Sequence, residues 1–165
     1  MDSLKPVATR IAAILKARGQ TLSIAEGSAG GLMSAAMLAV PGASAYFIGG
    51  AVVYTRVARR VLLNLSDDDM RAVRPSTANY ARLMAEAARS RFGTDWAIAE
   101  SGATGPTGNR YGDAAGHAAI AVAGPVPADL VPADLVIETG HGDREGNMRA
   151  FAQGALELLE RCLVG

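Results

Sequence analysis

The chain has 165 residues, the size of one domain, and a chain this long buries roughly 70% of its unfolded surface. Its sixteen basic residues balance its sixteen acidic ones, which argues against general nucleic-acid binding, because that leaves a basic excess. One cysteine, Cys162, excludes an internal disulfide framework and an all-cysteine metal site, and two histidines, His117 and His141, argue against a His-rich one.

In chain order, Leu4, Val7, Ile11, Ile14 and Leu15 fall at helical spacing and predict an amphipathic helix over 4–18, ended by Gly19. Residues 21–25 form a short apolar run and predict a strand. Residues 26–31, Glu-Gly-Ser-Ala-Gly-Gly, read as a turn, and 32–40 as a helix stopped by Pro41 and Gly42. Residues 46–54 are β-prone, with Gly49 and Gly50 marking a bulge or a close backbone approach. A short helix is predicted over 56–65. Ser76 is placed to cap a helix with Tyr80, Leu83, Met84, Ala87 and Phe92 inward. A strand over 95–100 leads into a Gly-rich loop over 101–116, and strands follow over 117–123 and 134–139. Asp143 is placed to cap a last helix whose apolar face is Phe151, Ala155, Leu158, Leu159 and Cys162.

Strands and helices mix throughout, which predicts a layered α/β domain with a buried sheet. No linker divides the chain, so residues 1–165 are expected to form a single domain. Residues 126–130 and 131–135 both read VPADL, a local duplication expected to lengthen a loop. Residues 27–55 carry no charge. Pro41 and Gly42 split that stretch, so it reads as a buried helix followed by a buried strand and not as a bilayer span. The N-terminus lacks a basic segment followed by an apolar core, and a soluble cytoplasmic protein with no membrane partner is expected.

Two loops offer chemistry. Residues 25–31 lie between a strand and a helix, where small residues let a ligand approach and helix-start N–H groups favour an anion. Residues 101–108 follow a strand and offer hydroxyls and backbone amides. Neither is a Walker A loop.

The motifs, taken together, resemble the C-terminal domain of the competence/damage-inducible protein CinA, the nicotinamide mononucleotide deamidase family. That family shows Ala-Glu-Ser-Cys-Thr-Gly-Gly, then Pro-Gly-Ala-Ser, then Gly-Gly and a Tyr with Lys five residues on. A Thr-Gly-x-Ala-Gly-Pro loop and a Gly-Asp-Arg follow. This chain has Ala25-Glu26-Gly27-Ser28-Ala29-Gly30-Gly31, Pro41-Gly42-Ala43-Ser44, Gly49-Gly50 and Tyr54. It then has Ser101-Gly102-Ala103-Thr104-Gly105-Pro106 and Gly142-Asp143-Arg144. The resemblance implies a three-layer α/β/α sandwich with a mixed sheet and a pocket for a nicotinamide nucleotide. It also implies a homodimer or higher homo-oligomer, no metal and no cofactor, and the stand-alone form of the domain. The ligand-binding residues it implies are Glu26, Gly30, Gly31, Gly49, Gly50, Ser101, Gly102, Thr104, Gly105 and Arg144. In the family the loop serine attacks the carboxamide, the lysine is its base and the tyrosine assists.

This chain departs at both central positions. Gly27 stands at the nucleophile position and Arg59 at the lysine position. The only lysines, Lys5 and Lys16, lie in the first predicted helix. A guanidinium stays protonated and cannot serve as base, though its fork of donors can hold a phosphate or carboxylate. Arg59 therefore reads either as a ligand clamp or as part of a solvated Arg56-Arg59-Arg60 cluster. Ser28 reads either as a helix N-cap or as a replacement nucleophile beside Tyr54, with no evident base. His117 reads as structural or catalytic, and Arg144 as a phosphate, inter-subunit or surface ion-pair residue. The leading expectation is a nucleotide-binding domain with deamidation lost or altered; the alternative is an active deamidase rewired through Ser28.

Overall fold

The computed structural model describes residues 2–127, 129 and 133–165. Its elements in order are α1 (Lys5–Arg18), β1 (Leu22–Glu26), α2 (Leu32–Leu38), β2 (Phe47–Val52), α3 (Arg56–Leu63), α4 (Ala78–Phe92), β3 (Trp96–Ala103), β4 (His117–Ala123), β5 (Asp134–Glu138) and α5 (Arg144–Val164). The sheet runs β2-β1-β3-β4-β5. Strand β1 pairs in parallel with β2 and β3, while β3–β4 and β4–β5 are antiparallel. The sheet is mixed, as expected, and helices cover both of its faces.

Side-chain alternation along the central strands sorts large from small. Leu22, Ile24, Trp96, Ile98 and Ile120 point to one face, where they pack with Ile11, Met33, Phe151 and Leu159 from α1, α2 and α5. Ala25, Ala97, Ala99, Ala119 and Ala121 point to the other, toward Met84, Ala85 and Ala81 of α4. Alanine against alanine lets α4 lie close to the sheet, so a methylene added there is felt at once. Cys162 is buried on α5 and free, and burial pushes its thiol up, which keeps it inert.

Several boundaries differ from the sequence reading for local reasons. Glu26 ends β1 instead of opening the turn. Strand β3 runs to Ala103, so Ser101 and Gly102 pair with Ala119 and Ala118 of β4 and do not belong to a loop. Their poor strand propensity hides this; the Gly102 backbone lies so near β4 that a Cβ there would sit 2.8 Å from the Ala118 Cα. Thr77, not Ser76, caps α4 by accepting from the Tyr80 N–H at 3.3 Å. Asp143 precedes α5 but makes no side-chain cap bond. Leu83, Ala87 and Phe92 are only half-buried, and Ala81, Ala85 and Ala88 share the inner face with Tyr80 and Met84. The charge-free stretch forms α2, a 3-10 turn at Ala43–Ala45 and β2. Among the described residues no helix is long and apolar enough to cross a membrane. The duplicated VPADL segment falls largely outside the described residues.

Gly49 and Gly50 mark both a bulge and a close approach. The β1–β2 register skips one residue between Phe47 and Gly49. A Cβ on Gly49 would meet the Phe92 ring at 2.8 Å, and one on Gly50 would collide with the Ser34 hydroxyl.

Candidate functional site

Strand order reverses on either side of β1: the chain moves from β1 out to β2, then returns to β3 on the other flank. A reversal of this kind opens a crevice at the carboxyl ends of the parallel strands. Gly27 and Ser28, just beyond β1, and Ser101 and Gly102, near the end of β3, line a cavity of about 640 Å3 at that point. Its other walls come from Tyr54, Arg56 and Arg59 around α3, Ser76 and Tyr80 at the start of α4, and Arg110 and Tyr111 of the loop between β3 and β4. The volume suits a drug-sized or mononucleotide-sized ligand.

Of the residues expected at a ligand site, Gly27, Ser28, Tyr54, Arg59, Ser101 and Gly102 line this cavity. Gly49 and Gly50 instead face Phe92 and Ser34. Gly30 and Gly31 shape the turn into α2, both with positive φ, a backbone that favours glycine. Thr104 is buried, and its carbonyl and that of His141 accept from the fully buried Asn147 at 2.9 and 2.8 Å. Gly105 packs against Gly142. Arg144 donates to the Gly105 carbonyl at 2.8 Å and to the Tyr54 hydroxyl at 3.4 Å, so it ties that loop to one rim of the cavity.

The N–H groups expected to hold a ligand anion are taken by the chain's own carboxylates. Glu26 is fully buried and caps α2, accepting from the Met33 N–H and the Ser34 N–H, each at 3.0 Å, and from the Ser34 hydroxyl at 2.6 Å. Glu100, also fully buried, accepts from the Ala29 N–H at 2.8 Å and the Gly27 N–H at 3.2 Å. Its second oxygen accepts from the Ser28 hydroxyl. Ser28 is therefore not the α2 N-cap; Gly31 occupies that position. Burial drives the Glu100 carboxyl up to about 7, with the neighbouring Glu26 charge adding to the rise. The bonds from Ser28, Ala29 and Gly27 oppose that rise without cancelling it.

Arg59 is 5% exposed, despite lying on a short helix with three arginines. One terminal nitrogen donates to Asp67 at 2.8 Å, while its Nε is buried without a partner. A buried unpaired donor is costly, and the Arg59 side chain forms part of the cavity wall. Tyr80 stands beside it. Burial raises the Tyr80 hydroxyl, and Arg59 pulls it back part of the way.

Ser76 has φ +60, the left-handed region that a residue with a side chain rarely adopts. His117 holds it there. The Nε2 of His117 lies 2.8 Å from the Ser76 carbonyl and its Nδ1 meets the Glu138 carboxylate. Two acceptors on one ring favour the imidazolium. Burial works against that charge, but the Glu138 and Ser76 bonds and the Asp113 charge outweigh it, and His117 is raised. His117 thus works as a structural clamp on the cavity wall. Arg110 and Arg74 flank the Tyr111 ring, with centroid distances of 5.0 and 6.0 Å.

Glu100, Ser76, Tyr80 and Asn147 were not among the expected site residues. For Glu100 the signal was a lone carboxylate closing the apolar run Trp96–Ala99. Ser76 and Tyr80 read only as a helix cap and an inner helix face, and Asn147 carries no local pattern.

The family model of the CinA C-terminal domain matches residues 4–163. A CinA-like protein of Parasynechococcus marenigrum is 40% identical over 160 residues, covering 97% of this chain and 36% of that protein. A CinA-like protein of Gloeobacter violaceus is 35% identical over 96% of this chain and 36% of its own length. The chain thus spans about a third of the length of these curated relatives. A crystal structure of a CinA superfamily protein from Klebsiella pneumoniae superposes with TM-score 0.86 at 26% identity, covering 98% of both chains. A competence/damage-inducible protein from Agrobacterium tumefaciens gives TM-score 0.86 at 26% identity over 99% of this chain and 96% of that one. The chain belongs to the CinA C-terminal domain family.

Proposed function

We propose that this domain binds a small phosphorylated anion of the pyridine mononucleotide type in the Ser28–Arg59 cavity, and that the family's deamidation route is closed in it. The observation that carries the reading is Arg59: a buried guanidinium in the cavity wall with an unpartnered Nε. Arg56 and Arg110 add positive charge, and Tyr54, Tyr80 and Tyr111 offer ring faces and hydroxyls to a nucleotide base and ribose. Closure of the route follows from chemistry. Gly27 has no hydroxyl to attack a carboxamide, and Arg59 has no free electron pair to accept a proton.

A thermal-shift screen of nicotinamide mononucleotide, nicotinic acid mononucleotide and their dephosphorylated ribosides tests the reading. The mononucleotides should raise the melting temperature more than the ribosides do. Ammonia measured in parallel should stay at the level of a protein-free control. Release of ammonia at an enzymatic rate, or no shift with any mononucleotide, would sink the proposal.

A further inference from the structure

Ser28 stands between two environments. It lines the cavity on one side, and on the other its hydroxyl donates to a carboxylate oxygen of Glu100, which is fully buried behind it and absent from the cavity wall. The second oxygen of Glu100 is held by the N–H groups of Gly27 and Ala29. These bonds orient the carboxylate, with its first oxygen toward the Ser28 hydroxyl. We propose that Ser28 and Glu100 form a nucleophile–base pair that takes an acyl group from an activated ester of the bound anion. The inference rests on the cavity being the ligand site argued above, and it adds a reaction to it.

The Ser28 Oγ attacks the acyl carbon while its proton passes to Glu100. The carbonyl electron pair moves to oxygen and returns as the bond to the leaving group breaks. The products are an ester on Ser28, a protonated Glu100 and a leaving group that departs as an anion. Water then attacks the ester carbon and gives its proton to solvent, and the Ser28 oxygen leaves and recovers the proton held by Glu100.

The placement of Glu100 also sets the substrate class. Its carboxyl is bonded to the Ser28 hydroxyl and to the backbone N–H groups of Gly27 and Ala29 and does not itself line the cavity, so it can take the nucleophile's proton but cannot hand one to a leaving group. An amide nitrogen needs that proton to depart. A phenolate, carboxylate or phosphate does not. The pair suits activated acyl groups and leaves carboxamides intact. No base is placed to activate the incoming water, so the acyl-serine accumulates.

Geometry and acidity agree. A carboxyl pushed up to about 7 by burial is matched to proton transfer near neutrality. The charged neighbour acting on it is Glu26, across the strand on β1, which holds it up further.

The test uses p-nitrophenyl acetate with the full chain, read by intact mass and peptide mapping. We expect one acetyl group per chain, on Ser28, with a burst of p-nitrophenolate followed by slow turnover. The burst rate should rise with pH along a single titration centred near 7. Ser28→Ala should abolish the adduct, and Glu100→Gln should slow its formation at least about 100-fold. Absence of the adduct, an adduct on another residue, or equal rates in Glu100→Gln would overturn the proposal. If Glu100→Gln does not fold, the wild-type pH profile decides: a flat profile overturns it. Calorimetry with nicotinamide mononucleotide separates the two readings. Acetylation of Ser28 without nucleotide binding removes the ligand assignment and leaves the pair standing; binding without acetylation removes the pair alone.

Discussion

Glu26, the last residue of β1, and Glu100, within β3, are register partners on two adjacent parallel strands, and both are fully buried. Two such carboxylates side by side are costly. They coexist because they divide the donors around the Gly-rich turn between them: Glu100 takes those of the turn, Gly27 to Ala29, and Glu26 the N–H groups of Met33 and Ser34 in the first turn of α2. A loop that in sequence reads as an anion site is thus filled by the chain itself.

Glu26→Ala would leave the Met33 and Ser34 donors without their acceptor in the first turn of α2. The expected loss of unfolding free energy is about 3 kcal/mol. Glu26→Gln should cost less, because an amide oxygen still accepts. Urea denaturation of the two variants checks the order.

Glu100 makes stability fall with rising pH. Its folded value is raised from 4.5 to about 7, so the folded chain keeps a proton that the unfolded chain has released. The contribution is fully present below 4.5 and is lost as pH climbs through 7, by about 3 kcal/mol in all. Asp69, Asp95, Asp113 and Glu160 are lowered and act in the opposite sense, at pH below the ordinary carboxylate range. Unfolding free energies of wild type and Glu100→Gln at pH 5 and 8 should therefore differ in slope, with the variant flatter.

His117 is raised above its ordinary 6.5. Its stabilisation is fully present below that value and is lost as pH rises through the folded-state value. Glu138→Gln removes the carboxylate bond, and the ring should then titrate lower. Proton NMR of the imidazole follows both.

Restoring both family positions tests whether their loss closes the route. A Cβ on Gly27 would meet the Glu100 backbone oxygen at 3.2 Å and the Ser101 Cα at 3.7 Å, a tight but tolerable fit. Gly27→Ser combined with Arg59→Lys should release ammonia from nicotinamide mononucleotide where wild type does not. Each single substitution should remain inactive, because a serine without a base and a base without a serine are both idle.

The fold was legible because its signals are local: apolar spacing along α1 and α5, Gly19 after α1, and a break at Pro41. The errors arose where tertiary pairing overrode propensity, as when Ser101 and Gly102 joined β3 through β4. The departures at Gly27 and Arg59 were readable from motif order. The burial of Arg59 and the bond from Ser28 to Glu100 were not. The first depends on how α3 lies against α4, and the second joins residues 72 positions apart in the chain.

The most direct test is a calorimetric titration of nicotinamide mononucleotide into wild type and Arg59→Gln. Wild type should bind, with affinity weaker by roughly 10- to 100-fold in the variant, and no ammonia should form from either. Equal affinity in the two proteins, or no binding to wild type, would contradict a nucleotide site at Arg59.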